Sequence, residues 1–221
     1  MVISLASGNS QHNVLGVQPS ATIASYTPEE YLALERSSET KYEYFDGDVF
    51  ALAGGSPEHS LIAANLIGEL RHALRSRGCV VYTSDLKVHV EATGLCTHPD
   101  VTAASGEARF VNPNQECLAN PTLIAEVLSK TTEAYDRGAK FEQYQAIPSL
   151  ATYLLIAEDR PRIEQFVRKE PSGWHYSTAH GIGSSIELPA LNITLALREI
   201  FAGVRFRAGA ARAQVPSAPA F

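Results

Sequence analysis

No stretch of this sequence approaches the roughly 18 consecutive apolar residues that a membrane-spanning helix needs. The N-terminus also lacks a basic segment followed by an apolar core and a cleavage site. From these absences the expected location is cytoplasmic, with no membrane partner. Cysteine is scarce: Cys79, Cys96 and Cys117 are odd in number and match no CxxC spacing. That argues against a disulfide framework or a zinc site, and the thiols are expected to be reduced and structural. Positive charge is in deficit, with 18 Lys and Arg against 24 Asp and Glu and a formal net charge of -6. Phosphate affinity comes largely from Lys and Arg, so a broad nucleic-acid-coating surface is excluded, while a local basic groove is not. The single tryptophan, Trp174, offers no sugar-binding platform near the acids discussed below, which weighs against glycoside hydrolysis.

What is present describes a globular chain. Hydrophobic residues make up 45% of the 221 and charged residues 19%, enough apolar surface for one core of ordinary size. Residues 1–24 mix Ser, Asn, Gln and Gly without periodicity and read as a flexible N-terminal extension; 25–203 read as one domain; 204–221, rich in Ala, Arg and Pro, read as a C-terminal tail.

Within the domain, "YTPEEYLALERS" predicts a helix capped by Thr27 with Pro28 first. "KYEYFDGDVFALAG" predicts two short strands joined at Asp46-Gly47, because glycine accepts positive φ cheaply. "SPEHSLIAANLIGELRHALRSRG" predicts a helix capped by Ser56, apolar at Leu66, Leu70 and Leu74 and ended by Gly78. From Asp85 the chain alternates, which predicts a half-exposed strand with Asp85, Lys87, His89 and Glu91 on its polar side. "PTLIAEVLS" predicts an apolar strand, "TTEAYDRGAKFEQYQAI" one helix weakened at Gly138, and three strands follow before a short helix at "LALREIFAG". The order is mixed α/β.

Two of these segments carry an acid among apolar neighbours: Asp100 in "HPDVTAA" and Glu126 in "LIAEVLS". Burying an unpaired carboxylate costs several kcal/mol. Such acids persist when paired with cations, when hydrogen-bonded by backbone donors, or when both hold a metal. Two carboxylates on adjacent strands, completed by waters and a substrate phosphate, are a common way to hold magnesium. A lysine is then needed to steady developing charge. Leu128, two residues beyond Glu126 on the same face, is apolar. Lys140 can serve if the next helix packs its Asp136/Lys140 face over the strand end, and Lys130, on the same strand parity, is the second candidate.

Taken together, "KYEYFDGDV", "SPEHSLIAANL", "PDV", "PTLIAEVLSKTTEAYDRGAKFEQYQAIPSLATYLLI" and "RIEQF" resemble the Uma-type endonuclease family of the PD-(D/E)XK nuclease superfamily, from about Tyr26 to Phe201. The resemblance implies a mixed α/β, restriction-endonuclease-like core: a central mixed β-sheet flanked by helices. It matches Asp100 to the aspartate of the PD element and Glu126 to the acid of the (D/E)XK element, both as ligands of Mg2+ or Mn2+. Family members similarly lack lysine at the position of Leu128, and the lysine of "DRGAKF", Lys140, is taken to have migrated onto the helix; Glu43 matches an acid supporting the site. The chain departs from the family in reading "LSKTT" where leucine-serine-proline and a small hydroxyl residue are commoner. The resemblance also implies a DNA substrate and a homodimer.

The resulting expectation is a Mg2+- or Mn2+-dependent endonuclease, with Asp100 and Glu126 on the metal, Lys140 on the developing charge, Glu43 in support and water as nucleophile. The alternative is a nuclease-like fold kept as a DNA- or protein-binding module without turnover, consistent with Leu128 and the acidic balance. Structural roles are open residue by residue: Asp100 as a strand-edge acid, Glu126 bridged to Lys87 or Arg137, Glu43 paired across its hairpin. His59 and His98 lack a second histidine at metal-ligand spacing and read as structural or substrate-side. Arg71, Arg75 and Arg77 read as a solvated helix end or a phosphate contact.

Overall fold

The structure, a computed structural model, describes residues 25–206 except 53, 112, 113, 115, 170 and 172, together with the two-residue strand Ile3–Ser4. The expected N-terminal extension lies outside the described residues apart from that strand, and the expected tail lies outside them beyond residue 206. The elements in order are β1 (Ile3–Ser4), α1 (Pro28–Arg36), β2 (Tyr42–Phe45), β3 (Asp48–Ala51), α2 (Pro57–Leu74), β4 (Cys79–Thr83), β5 (Lys87–His89), β6 (Cys96–Thr97) and β7 (Val101–Ser105). There follow β8 (Cys117–Leu118), β9 (Leu123–Leu128), α3 (Glu133–Arg137), α4 (Ala139–Tyr144), β10 (Thr152–Ala157), β11 (Arg162–Arg168), β12 (Trp174–His180), β13 (Ser185–Leu188), β14 (Ile193–Ala196) and α5 (Leu197–Ile200).

Local chemistry sets several boundaries. Thr27 closes a capping box on α1: its hydroxyl takes the Glu30 N–H and the Glu30 carboxylate takes the Thr27 N–H. Asp46 and Gly47 both adopt positive φ, 48° and 87°, the geometry of a tight hairpin between β2 and β3. Ser56 caps α2, with Pro57 at its first position.

The main sheet has the order β12-β11-β10-β9-β7-β4. β9 and β10 run parallel, and the other neighbours antiparallel, so the sheet is mixed. Helix α2 lays Ile62, Leu66, Leu70 and Leu74 on one face, against Val101, Ala103, Leu123, Ala125 and Val127. On the opposite face Ile124, Leu128 and Leu155 pack with Phe141 and Tyr144 of α4 and with Val88 and Leu118 of a second sheet, ordered β1-β3-β2-β6-β5-β8. All six residues of β9 are therefore buried. The period of two places Glu126 on the second face, beneath α4. Val204 and Phe206 pack on the edge of the α2-side core.

Three expectations need correction. The alternating strand from Asp85 is not formed as a half-exposed face: Ser84–Leu86 turn, only Lys87–His89 are extended, and Lys87 is buried in an ion pair with Glu35 of α1. Asp85 instead pairs with Lys41, at 2.8 Å. The predicted single helix after β9 is two short ones, divided at Gly138. A hairpin, β13–β14, occupies the stretch before the last helix, where no strand was expected.

Candidate active site

The two acids meet at the heart of the main sheet. Antiparallel pairing of Val101 with Ala125 brings Asp100, the residue just before β7, opposite Glu126. The two clasp each other through backbone donors: the Val127 N–H reaches Asp100 Oδ2 at 2.7 Å and the Asp100 N–H reaches Glu126 Oε2 at 3.3 Å. They line a cleft of about 910 Å³ together with Glu43, His59, Asp136 and Lys140.

Lys140 comes down from α4. Its Nζ lies 2.9 Å from Glu126 Oε1 and 3.5 Å from Asp136 Oδ1, one helical turn earlier. The ammonium sits about 6 Å from the rings of Tyr135 and Tyr144, within cation–π range. Tyr144 also donates its hydroxyl to Glu126 Oε1, at 2.9 Å. Glu43 arrives from β2 and accepts hydrogen bonds from the hydroxyls of Thr97 and Tyr135, one to each oxygen. With both oxygens so engaged, Glu43 is placed as a support for Tyr135 and for the charge of Lys140.

The charge balance of the cleft is lopsided. Glu43, Glu126 and Asp136 are each no more than 3% exposed, Asp100 lies beside them, and Lys140 is the lysine buried among them. Burial pushes the Glu126 carboxyl up to about 8 against the opposing pull of Lys140, and burial likewise raises Asp136. Burial alone would lower Lys140, but the charges of Glu126, Asp136 and Glu43 outweigh it and hold the ammonium well above its ordinary range. The cleft thus has more buried carboxylates than cations, a deficit that a divalent cation would fill. The donors suit a hard cation, since both facing side chains offer carboxylate oxygen. Among the described residues no group of three or more His, Cys, Asp or Glu side chains forms a ready-made cage.

His59, in the first turn of α2, also reaches the acids: its Nε2 lies 3.1 Å from Asp100 Oδ2. The sequence profile of the Uma2 family, described as "Putative restriction endonuclease", matches residues 28–198. The chain belongs to the Uma2 family. Two relatives from Synechocystis sp., each called an uncharacterized protein, are 34% identical over 188 residues and 31% identical over 173. The alignments span 85% and 78% of this chain and 97% and 98% of theirs. In fold, the crystal structure of a putative nuclease of DUF820 from Anabaena variabilis matches with a TM-score of 0.64 at 16% identity, over 81% of this chain and 97% of that one. Membership of Uma2 supports a nuclease-like role.

The Uma2 cleft gathers Asp100, Glu126, Lys140 and Glu43 in one place; Lys130 is exposed at its rim. Lys87 and Arg137, the structural alternatives for Glu126, are engaged elsewhere, with Glu35 and with Glu133 and Glu164. Leu128 is buried in the apolar cluster beneath α4. His98 is structural: its ring bridges Glu35 Oε1 at 2.7 Å and the Ser84 carbonyl at 2.8 Å. Burial would raise Glu35, but hydrogen bonds from His98 and Lys87 pull it down to about 2. Arg77 spends its guanidinium on the carbonyls of Leu191 and Asn192, while Arg71 and Arg75 are exposed. The sequence reading did not assign His59, Tyr135 or Tyr144 to the Uma2 site. For Tyr144 a signal existed in its spacing of four from Lys140; for His59 and Tyr135 the contacts are made across the fold. Among the described residues no helix is long and apolar enough to cross a membrane.

Proposed function

We propose that this Uma2 chain is a Mg2+- or Mn2+-dependent endonuclease that hydrolyses DNA phosphodiester bonds. The observation that carries the reading is the cross-strand clasp of Asp100 and Glu126 with Lys140 Nζ bonded to Glu126. Asp100 and Glu126 would hold the cation, which when bound supplies a Lewis acid for the phosphate and a lowered pKa for the attacking water. The protein's own part is to position and compensate. Asp136 and Glu126 hold the Lys140 ammonium so that it faces the cleft with little freedom, ready to offset charge on a phosphate oxygen. Tyr144 fixes Glu126, and Glu43 fixes Tyr135 against the same ammonium. A lysine on the helix takes the place that Leu128 leaves on the strand. Cutting both strands of a duplex calls for two such sites, and we assign the second to another copy of the chain.

Incubation with plasmid DNA in the presence of Mg2+ or Mn2+ tests the reading. Cleavage is expected that stops with EDTA and is lost in Asp100→Ala; cleavage surviving both in nuclease-free preparations would refute it. Wild-type protein showing neither cleavage nor heat of metal binding would instead mark a scaffold without turnover.

A further inference from the structure

A histidine that takes no step in the proposed chemistry is nonetheless built into the cleft. His59 is the third residue of α2 after its Ser56 cap, and its ring points back over the helix start, as side chains of a first turn do. Its side chain is 17% exposed. The start of α2 is tied to the sheet: Ser56 Oγ accepts the His59 N–H at 3.0 Å and donates to Glu158 Oε2 at 2.8 Å, Glu158 being the residue directly after β10. Gly55 leaves room for the ring, because a Cβ there would stand 2.6 Å from His59 Nδ1 and 2.7 Å from Cγ.

We propose that His59 is a positioning residue for the cation site, its Nε2–H fixing Asp100 Oδ2 so that Oδ1 is presented to the metal. The inference rests on the two-carboxylate reading given above. Oδ2 already accepts the Val127 N–H at 2.7 Å, and His59 Nε2 lies 3.1 Å from the same oxygen in an ion-pair contact; among the described residues none donates to Oδ1. A carboxylate held by one donor can still turn about its terminal torsion, whereas two donors on the same oxygen from different directions set which oxygen faces the cleft. The imidazole can donate from Nε2 whether neutral or charged, so the arrangement does not depend on a titration. Partners of this kind, bonded to a metal ligand rather than to the metal, typically change metal affinity by about 10–100-fold when removed.

The test is calorimetric titration of the full chain with Mn2+, comparing wild type with His59→Leu, His59→Gln and Gly55→Ala. His59→Leu should bind Mn2+ about 10–100-fold more weakly. His59→Gln, whose amide N–H reaches about as far as Nε2, should stay within a few-fold of wild type. Gly55→Ala keeps the imidazole but displaces it from Asp100, and should lose affinity as His59→Leu does. If His59→Leu fails to fold, Gly55→Ala decides: unchanged affinity overturns the proposal. So does equal binding by wild type and His59→Leu, or a His59→Gln loss as large as that of His59→Leu, which would make the ring itself a ligand or a filler. Absence of wild-type binding heat overturns the cation reading and this proposal together, whereas the other failures leave the cation reading standing.

Discussion

At the scale of single residues, the cleft is a problem in charge before it is a problem in chemistry. Lys140 carries the positive end of a buried network, with Glu126 at 2.9 Å and Asp136 at 3.5 Å. Lys140→Met should keep the methylene packing, remove the charge and lower DNA cleavage by about 100- to 1,000-fold, the usual consequence of deleting one preorganised stabiliser of transition-state charge. Turnover measured in excess Mn2+ checks it, and a fall of less than about tenfold would shift the role to Lys130 at the rim. Glu126 gives a second handle. Its folded pKa of about 8 lies above the ordinary 4.5, so between these values the folded chain keeps a proton that the unfolded chain has released. The stability this contributes is full below about 4.5 and is lost as pH rises through about 8. In EDTA the thermal midpoint should therefore fall as pH is raised across this window, and Mn2+ should restore it most at the alkaline end, where the cation has no proton to displace. His59 and Asp136 are raised as well and slope in the same direction, so the diagnostic is the difference from Glu126→Gln, whose profile should be flatter. Identical pH profiles for the two proteins would contradict the assignment.

At the scale of elements, what was legible in the sequence follows from what is local. Asp100 and Glu126 could be placed together because Glu126 stands in a short apolar strand and Asp100 directly precedes another, and Lys140 because it follows Asp136 by four residues. The hairpin at Asp46-Gly47 and the caps Thr27 and Ser56 were legible for the same reason: each is a bargain between neighbouring residues. Lys87 was misread as exposed because its burial is imposed by Glu35, 52 positions earlier, and alternation along a strand says nothing of what covers it. For His59 the sequence leaves a structural or substrate-side role open, and what decides its place is a carboxylate 41 positions on. The helix after β9 breaks at Gly138, where residue type gave only a hint, and the end of the β13–β14 hairpin is hidden because Leu195 and Ala196 of β14 also open the stretch that reads as the last helix. Ser56 joins helix to sheet, so Ser56→Ala should cost about 1 kcal/mol for the cap alone. Urea unfolding would show it, and an unchanged midpoint would mean that the bonds to His59 N–H and Glu158 add nothing to the fold.

At the scale of the molecule, α2 on one side and α4 with the second sheet on the other enclose a mixed sheet whose centre holds the acids. A net charge of -6 leaves little long-range attraction for DNA, so binding should depend on the cation and on local contacts more than on a basic surface. The homodimer assigned above should elute at twice the 23.9 kDa of one chain; elution as a monomer at all working concentrations, with or without DNA, would leave each strand to be cut in a separate encounter. The central claim is that Asp100 and Glu126 share one divalent cation. Crystals grown with Mn2+, with data collected near the manganese absorption edge, address it directly. The account predicts an anomalous peak within bonding distance of both carboxylates, next to Lys140 but not on it. A crystal saturated with Mn2+ that shows no peak between the two acids, or places it on other residues, would contradict the account.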